Sequence, residues 1–550
     1  MQGRERSGMR TSVEVSAEKL RGGFYSPPSL VQLCWDRVSQ LVGSTSELSV
    51  LEPSAGDGAF IRGLAKHRLA GQIRTVTAIE LLESEAAKCS AELAVSGADG
   101  RVLNTSAVAW AADRRDLHDL AVGNPPFVRF QFVPPDDRAA SERLGTALGI
   151  SFRGVGNLWI PVFVGALASL KPKGSFAFII PAEFLTGISG ALVRDWLAQH
   201  VRRLRLDVFQ PGSFPGVLQE VVIVSGSIVG AGEQPSGILD VQEHLSSNES
   251  ASWSHQISSD ARTWTRYLLR REHADALDEA ESLKACGHLG DVARFEVATV
   301  TGANDFFCLD DATVTALGLR PWARPMLPRM RHAPGLTFDQ GEHDLLRDTD
   351  ARIWMLDFSD ANPDPHVSTS AVDYLKAGEE RALQTRYKCR IRDPWYRVPI
   401  VKPGELLMAK RSHVYPRVVV NSAAVLTTDT VYRGRLLPTA NVTVQDFAAV
   451  FHNSLTLLSA EVEGRSFGGG VLELVPSEVT RLRLPRAHEM GSELSRLDWI
   501  SRESGGGESD ALIEETDALV AKKTPGLSTD LMDQLRGAYA SLRMRRLART

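Results

Sequence analysis

The chain has 550 residues, 43% of them apolar and 23% charged, and a net charge of −5. That length exceeds what one hydrophobic core holds and implies two or more domains. The mild acidity excludes a uniformly basic nucleic-acid binder while leaving room for a local basic surface, and apolar runs such as "FAFIIPAEFL" are broken by proline and acid well short of a membrane span.

The first residues, "MQGRERSGMRTSVEVS", are polar and charged and show no apolar segment of a secretory signal. Five scattered cysteines without a CxxC pair fit a reducing cytoplasm and argue against a zinc site; "CGH" at Cys286–His288 is the nearest approach to a metal pair. From about residue 20 to 228, short β-branched runs alternate with amphipathic stretches, the pattern of a parallel α/β sheet. Predicted strands are "ELSVLEP", "RTVTAIEL", "DLAVGNPP", "GSFAFIIP", "LRLDVFQ" and "EVVIVSGSIV", with predicted helices at Pro28 to Val42 and Leu192 to Val201. Residues 131–157 read as a polar, poorly periodic insertion, and residues 230–258 have linker composition. A first domain over 1–240 and a second over 259–500 follow. From about 289 to 485 the second domain alternates strand-like runs with proline loops, an α+β pattern. The Gly/Ser-rich "SRESGGGESD" then precedes a helical tail over 508–550, in which Ser528 is placed to cap a helix running to Arg546.

Two stretches carry chemistry. In "VLEPSAGDGAF" an apolar strand ends in Glu52, and small residues with two glycines lead into a helix starting near Ala59. Glycines there let backbone approach a ligand closely. The stretch lacks both the GxGxxG fingerprint and the lysine of a phosphate loop, and Glu52 and Asp57 would repel a pyrophosphate. A cationic or zwitterionic ligand fits better, and Glu80, ending the next strand, suits the two hydroxyls of a ribose. In "AVGNPPFVRF" two prolines fix φ and remove two N–H donors directly behind a strand. Either they simply terminate the strand, or they hold Asn124, the Pro125 carbonyl and the Phe127 ring rigidly around a flat, amine-bearing substrate.

"LEPSAGDGAF", "IE" at 79–80 and "NPPF" at 124–127, preceded by "GGFYSPPSLV", resemble in this order the gamma-class, TaqI-like adenine-N6 DNA methyltransferases of restriction-modification systems. The resemblance is close over 20–228 and looser through "TVTGANDFFCL", "RIRDPWYRVP" and "RSFGGGVLELVPSEV". It implies a Rossmann-like class I S-adenosylmethionine-dependent methyltransferase domain followed by an α+β target-recognition domain. Ser26, Glu52, Pro53, Ser54, Ala55, Gly56, Gly58, Glu80, Asn104 and Asn124 would hold S-adenosylmethionine. Asn124, Pro125, Pro126 and Phe127 would be catalytic, with Phe127 and Phe214 stacking on an adenine rotated out of duplex DNA. The family places an aspartate after its third strand, where "RVLNTSAVAW" offers Asn104, Thr105 or Ser106 instead.

Asn-Pro-Pro-aromatic motifs also occur in methyltransferases of ribosomal RNA bases and of glutamine amides in release factors, so the second domain has to discriminate. Basic residues interleaved with Trp395, Tyr396 and Tyr415 are dense between Arg381 and Arg417, and a second patch runs from Arg320 to His332. Local basicity beside aromatics in an acidic chain fits a phosphate-contacting surface, with Arg390, Arg392, Trp395 and Arg397 the first candidates for DNA contact. "SFGGGVLEL" reads either as a hairpin or as a close backbone approach to DNA. A monomer, with a cognate endonuclease encoded separately, completes the expectation.

Overall fold

The computed structural model describes residues 26–210, 220–245, 249–467, 469–487, 489–504 and 509–548. The chain divides into two units, 1–268 and 269–550.

The first unit is built on one nine-stranded sheet in the order β3-β2-β1-β4-β5-β7-β6-β8-β9. Its strands are β1 Leu48–Glu52, β2 Ile73–Glu80, β3 Gly100–Asn104, β4 His118–Gly123, β5 Leu170–Pro181, β6 Val201–Phe209, β7 Val221–Ile228, β8 Ile238–His244 and β9 Ser250–Gln256. The run from β3 through β5 is parallel, and β7 enters antiparallel between β5 and β6. β1 is buried along its whole length and Phe176, Phe178 and Ile180 of β5 are fully buried, as expected of central strands covered on both faces by helices. The six predicted strands all form, and this is the α/β methyltransferase-type sheet expected. Because β2 and β3 lie to one side of β1 while β4 and β5 lie to the other, the order reverses between β1 and β4. In open α/β sheets that reversal opens a crevice at the carboxyl ends of the strands.

Helix α1 (Pro28–Val42) packs on β5, β7 and helix α2 (Ala59–Ala65), while α3 (Glu83–Ser96) packs on α2, β2 and β3. The Trp35 indole of α1 donates to the Phe60 carbonyl of α2 at 3.0 Å. Gly63 of α2 lies so close to α1 that a Cβ would sit 2.6 Å from Val31. Arg37 of α1 reaches the fully buried Asp207 of β6 (Nε to Oδ2, 2.9 Å), and it also donates to Gln242 of β8 at 2.8 Å. Burial alone would raise the Asp207 carboxyl, but hydrogen bonds from His244 and Arg37 hold it below its usual value. α1 is thereby tied to α2 at one point and to β6 and β8 at another.

Two readings of composition are corrected within this unit. Residues 131–157 contain a 14-residue helix, α5 (Pro135–Leu148), following α4 (Ala107–Ala111). Pro135 opens it, Asp136 and Asp137 occupy its first turn, and Gly149 at φ +68° ends it. Its buried face is Asp137, Ala140, Ser141, Leu144 and Gly145, too small and polar to give an apolar period. Residues 230–258 are not a linker. They supply β8, parallel to β6, and β9, antiparallel to β8, so the first domain extends beyond residue 240. β9 is an edge strand of sequence SASWSHQ, and its ladder to β8 does what its side chains do not.

The second unit is α+β, as expected. Its largest sheet orders Ala293–Glu296, Val431–Leu436, Leu406–Ala409, Val418–Asn421 and Thr337–Phe338, antiparallel except for the last pair. Thr529–Leu547 is capped by Ser528, whose hydroxyl accepts from the Leu531 N–H at 3.2 Å. The tail is not an appendage. Arg546, 3% exposed, pairs with Glu461 at 2.7 Å and donates to the carbonyls of Val414 and Gly470. The Arg465–Phe467 and Val471–Glu473 strands form a hairpin, with Gly469 and Gly470 at φ +75° and +67°.

Candidate functional site

The carboxyl ends of β1, β2, β3 and β4 bring the two chemical stretches together. After Glu52, Gly56 takes φ +53° and Gly58 takes φ +86°, the latter as the cap residue before α2. Both angles favour glycine. Beside Gly56 an added Cβ would meet open space, whereas at Gly58 it would lie 3.0 Å from Glu92 of α3. The loop is pinned from below by the Ala55 N–H donating to the Ile79 carbonyl at 2.9 Å.

Glu80 organises the loop from the side. One carboxylate oxygen accepts from the Gly56 N–H at 2.9 Å and the other from the Leu82 N–H at 2.8 Å. Each oxygen keeps a second lone pair for a ligand hydroxyl. Asn104, opposite Glu80 in the β2–β3 register, donates its amide to the carbonyls of Glu80 (3.0 Å) and Leu81 (2.9 Å). Both amide hydrogens are then spent, and the group left for a ligand is an oxygen acceptor, as in the carboxylate that the family carries. Ser106 is instead a helix cap, its hydroxyl accepting from the Ala109 N–H.

Glu52 is 1% exposed, and its Oε1 meets no donor among the described residues. Burial, and then the neighbouring charges of Asp57 and Glu80, push its carboxyl well above the usual range, with Arg62 opposing. Asp57 is turned to Arg62 at 2.7 Å and braces the loop. A buried, unpaired acid among further acids is a poor place for a phosphate and a suitable one for a cation. The sulfonium and ammonium of S-adenosylmethionine fit this donor set.

The Asn124 motif meets this loop directly. The Ser54 hydroxyl donates to the Asn124 carbonyl at 3.1 Å, and the Asn124 amide donates to the Ser26 hydroxyl at 3.2 Å. Asn124 Oδ1 is buried and has no hydrogen-bond partner among the described residues. Among those residues no N–H donates to the Pro125 carbonyl either. Gly123, which the sequence reading passed over, makes the crossing possible: a Cβ there would lie 3.1 Å from Phe178 and 3.3 Å from Pro53. Its only signal was a glycine at a strand end. The Phe127 ring is half-buried against the core of the unit, and Val128 and Phe130 are tied to the 156–158 backbone. Arg194, also missed, is 2% exposed and holds the turn after β5 through the carbonyls of Phe184 (2.5 Å) and Arg262 (2.6 Å). Phe214, expected to form the second stacking face, lies outside the described residues.

In the second unit the four basic-patch candidates separate. Arg392 donates to the carbonyls of Thr301 and Val300, each at 2.7 Å, and is a backbone brace. Trp395 packs among Phe306, Phe307 and Tyr396 on the rim of a core and donates to Glu379 at 3.3 Å, so it is not free to stack on a base. Arg397 pairs with Asp360 at 2.5 Å on the surface. Arg390 alone of the four is exposed without such a side-chain partner among the described residues. The dense basic sequence around them partly has the same fate: Arg417 donates to four backbone carbonyls from Met330 to Gly335.

Comparison with known proteins places the sequence among restriction-modification methylases. Residues 77–211 match the family described as Eco57I restriction-modification methylase, and residues 261–521 match the C-terminal domain of type II methyltransferase M.Eco57I. The chain is 19% identical to type II methyltransferase M.AccI of Acinetobacter calcoaceticus, over 86% of each chain. It is 22% identical to type II methyltransferase M.XamI of Xanthomonas campestris pv. amaranthicola, over 88% of this chain and 89% of that one. Among solved structures, the type IIG restriction endonuclease BpuSI aligns at a TM-score of 0.43 and 13% identity, over 96% of this chain and 66% of its own. A cryo-EM structure of a DrdV–DNA complex aligns at 0.48 and 11% identity, over 88% and 57%. The homologues indicate a type II restriction-modification DNA methyltransferase that uses S-adenosylmethionine.

Proposed function

We propose that the chain methylates the N6 amine of adenine in duplex DNA, on a base rotated out of the helix. The observation that carries this reading is the buried Asn124 Oδ1, which among the described residues lacks a partner and stands beside a Pro125 carbonyl without an N–H donor. An exocyclic amine is a weak nucleophile because its lone pair is delocalised into the ring. Two acceptors that take both amine hydrogens favour a pyramidal nitrogen and release that lone pair. The prolines hold the acceptors in place, and the Ser54 and Ser26 contacts fix the asparagine. S-adenosylmethionine supplies an electrophilic methyl group on its sulfonium. The attacking amine is neutral and sheds its proton as the methyl arrives, so no side chain has to serve as a strong base.

A paired base hides its amine, so the enzyme rotates the nucleotide out, at a cost of a few kcal/mol, and stacks it on Phe127. Phe214 is the expected second face. The second unit reads the site, with Arg390 as its first phosphate contact, and the chain acts as a monomer beside a separately encoded endonuclease. Incubation with tritiated cofactor and mixed DNA, followed by digestion to nucleosides, tests the assignment. Label is expected in N6-methyl-2′-deoxyadenosine from DNA. Label in N4-methylcytosine, or in RNA or protein only, would sink it.

A further inference from the structure

The turn that follows the Asn-Pro-Pro-Phe motif is held more firmly than an ordinary surface loop. Phe130–Phe132 form a single 3-10 turn. On one side the Leu158 N–H donates to the Val128 carbonyl at 2.8 Å, the Phe130 N–H donates to the Gly156 carbonyl at 2.9 Å, and Arg129 bridges Asn157 in antiparallel fashion. On the other side the Arg138 guanidinium donates to the carbonyls of Gln131 (2.7 Å) and Val133 (2.8 Å), and the Val133 side chain is buried.

This braced turn nevertheless presents Phe132 at 55% exposure, beside the exposed Arg129, Gln131, Pro134 and Pro135. Single exposed apolar side chains are ordinary on a surface. A phenylalanine held on a doubly clamped turn, five residues beyond the catalytic motif and next to an unpaired guanidinium, is not. Among the described residues Arg129 has neither an acid nor a carbonyl partner for its side chain. A polyanion whose interior is a stack of apolar rings answers both groups at once.

We propose that this turn is a DNA-contacting wedge, in which Arg129 meets a backbone phosphate and the Phe132 ring enters the duplex at the target step, filling the space left by the extruded base. Proteins that unstack base steps frequently insert apolar wedges of this kind. The inference rests on the duplex reading above and adds to it the group that stabilises the opened duplex.

The test uses the full chain and its own site, mapped by methylation-sensitive sequencing. Single-turnover methyl transfer is measured on the paired duplex and on the same duplex with an abasic position opposite the target base. Phe132→Ala is expected to slow transfer on the paired duplex by roughly tenfold or more, the value of one stacked aromatic. On the abasic duplex, where opening is already easy, most of that loss should vanish, while Phe132→Trp retains the rate on both. Arg129→Ala should reduce the salt slope of log K by about 1. Equal losses for Phe132→Ala on the two duplexes, or a wild-type rate and salt slope in both alanine variants, would overturn the wedge. A wild-type chain that labels no duplex adenine would overturn the reading beneath it, and thus the wedge as well.

Discussion

Truncating Asn124 to alanine should separate the fold of this protein from its chemistry. The buried Oδ1 has no donor among the described residues, and an unsatisfied buried acceptor costs about 1–3 kcal/mol. The substitution removes that cost. It also removes the 3.2 Å hydrogen bond from the amide to Ser26, a contact contributing about 0.5–1.5 kcal/mol. The two nearly cancel, so Tm should stay within a few degrees of wild type or rise, at about 2–4 °C per kcal/mol for a unit of this size. Losing one preorganised hydrogen-bonding group at the reacting atom costs on the order of 10²–10³ in rate. Asn124→Ala should therefore melt like wild type, bind S-adenosylmethionine nearly as well by calorimetry, and lose single-turnover methylation by that factor. A large fall in Tm, with cofactor affinity and methylation declining in parallel, would mean that Asn124 only braces the loop, and would refute its place at the amine.

Glu80→Ala should act on the other half of the site. It weakens cofactor binding by roughly 1.5–3 kcal/mol, the value of hydrogen bonds to a charged group, and frees the Gly56 N–H that Glu80 now holds; titration calorimetry reads the loss. In the second unit Arg390→Ala should lower the salt slope of DNA binding by about 1. Arg392→Ala should instead lower Tm and leave that slope unchanged, because its guanidinium holds the Val300 and Thr301 carbonyls. Glu52 predicts a pH dependence. Its carboxyl titrates well above the ordinary glutamate value because of burial and then the charges of Asp57 and Glu80. The stability it contributes is thus present below the unfolded-state pKa and lost as pH rises toward the folded one. Melts of the ligand-free protein should show that decline, Glu52→Gln should flatten it, and the same variant should bind the cationic cofactor more weakly.

The sequence alone determined the Gly-rich loop after β1, the Asn124 motif and the central strands, because each is a local signal. Glycines after a strand, prolines behind a strand and an acid at a strand end need no partner to be read, and strands buried on both faces are apolar for most of their length. What it left illegible depended on partners far away in the chain. β9 is polar and short of apolar side chains, and it exists because β8 offers it a ladder. α5 buries alanine, serine and glycine, so its period carried no hydrophobic contrast. The basic run from 381 to 417 looked like one surface, yet Arg392 and Arg417 turn inward to backbone carbonyls, since a guanidinium with five donors serves a carbonyl cluster as readily as a phosphate. Asn124 shows both sides of the division. Its identity and its neighbouring prolines are written in ten residues, but only the fold decides that Ser26 and Ser54 occupy two of its polar atoms and leave Oδ1 buried and, among the described residues, unpaired, which is the condition the proposed grip on a substrate amine requires.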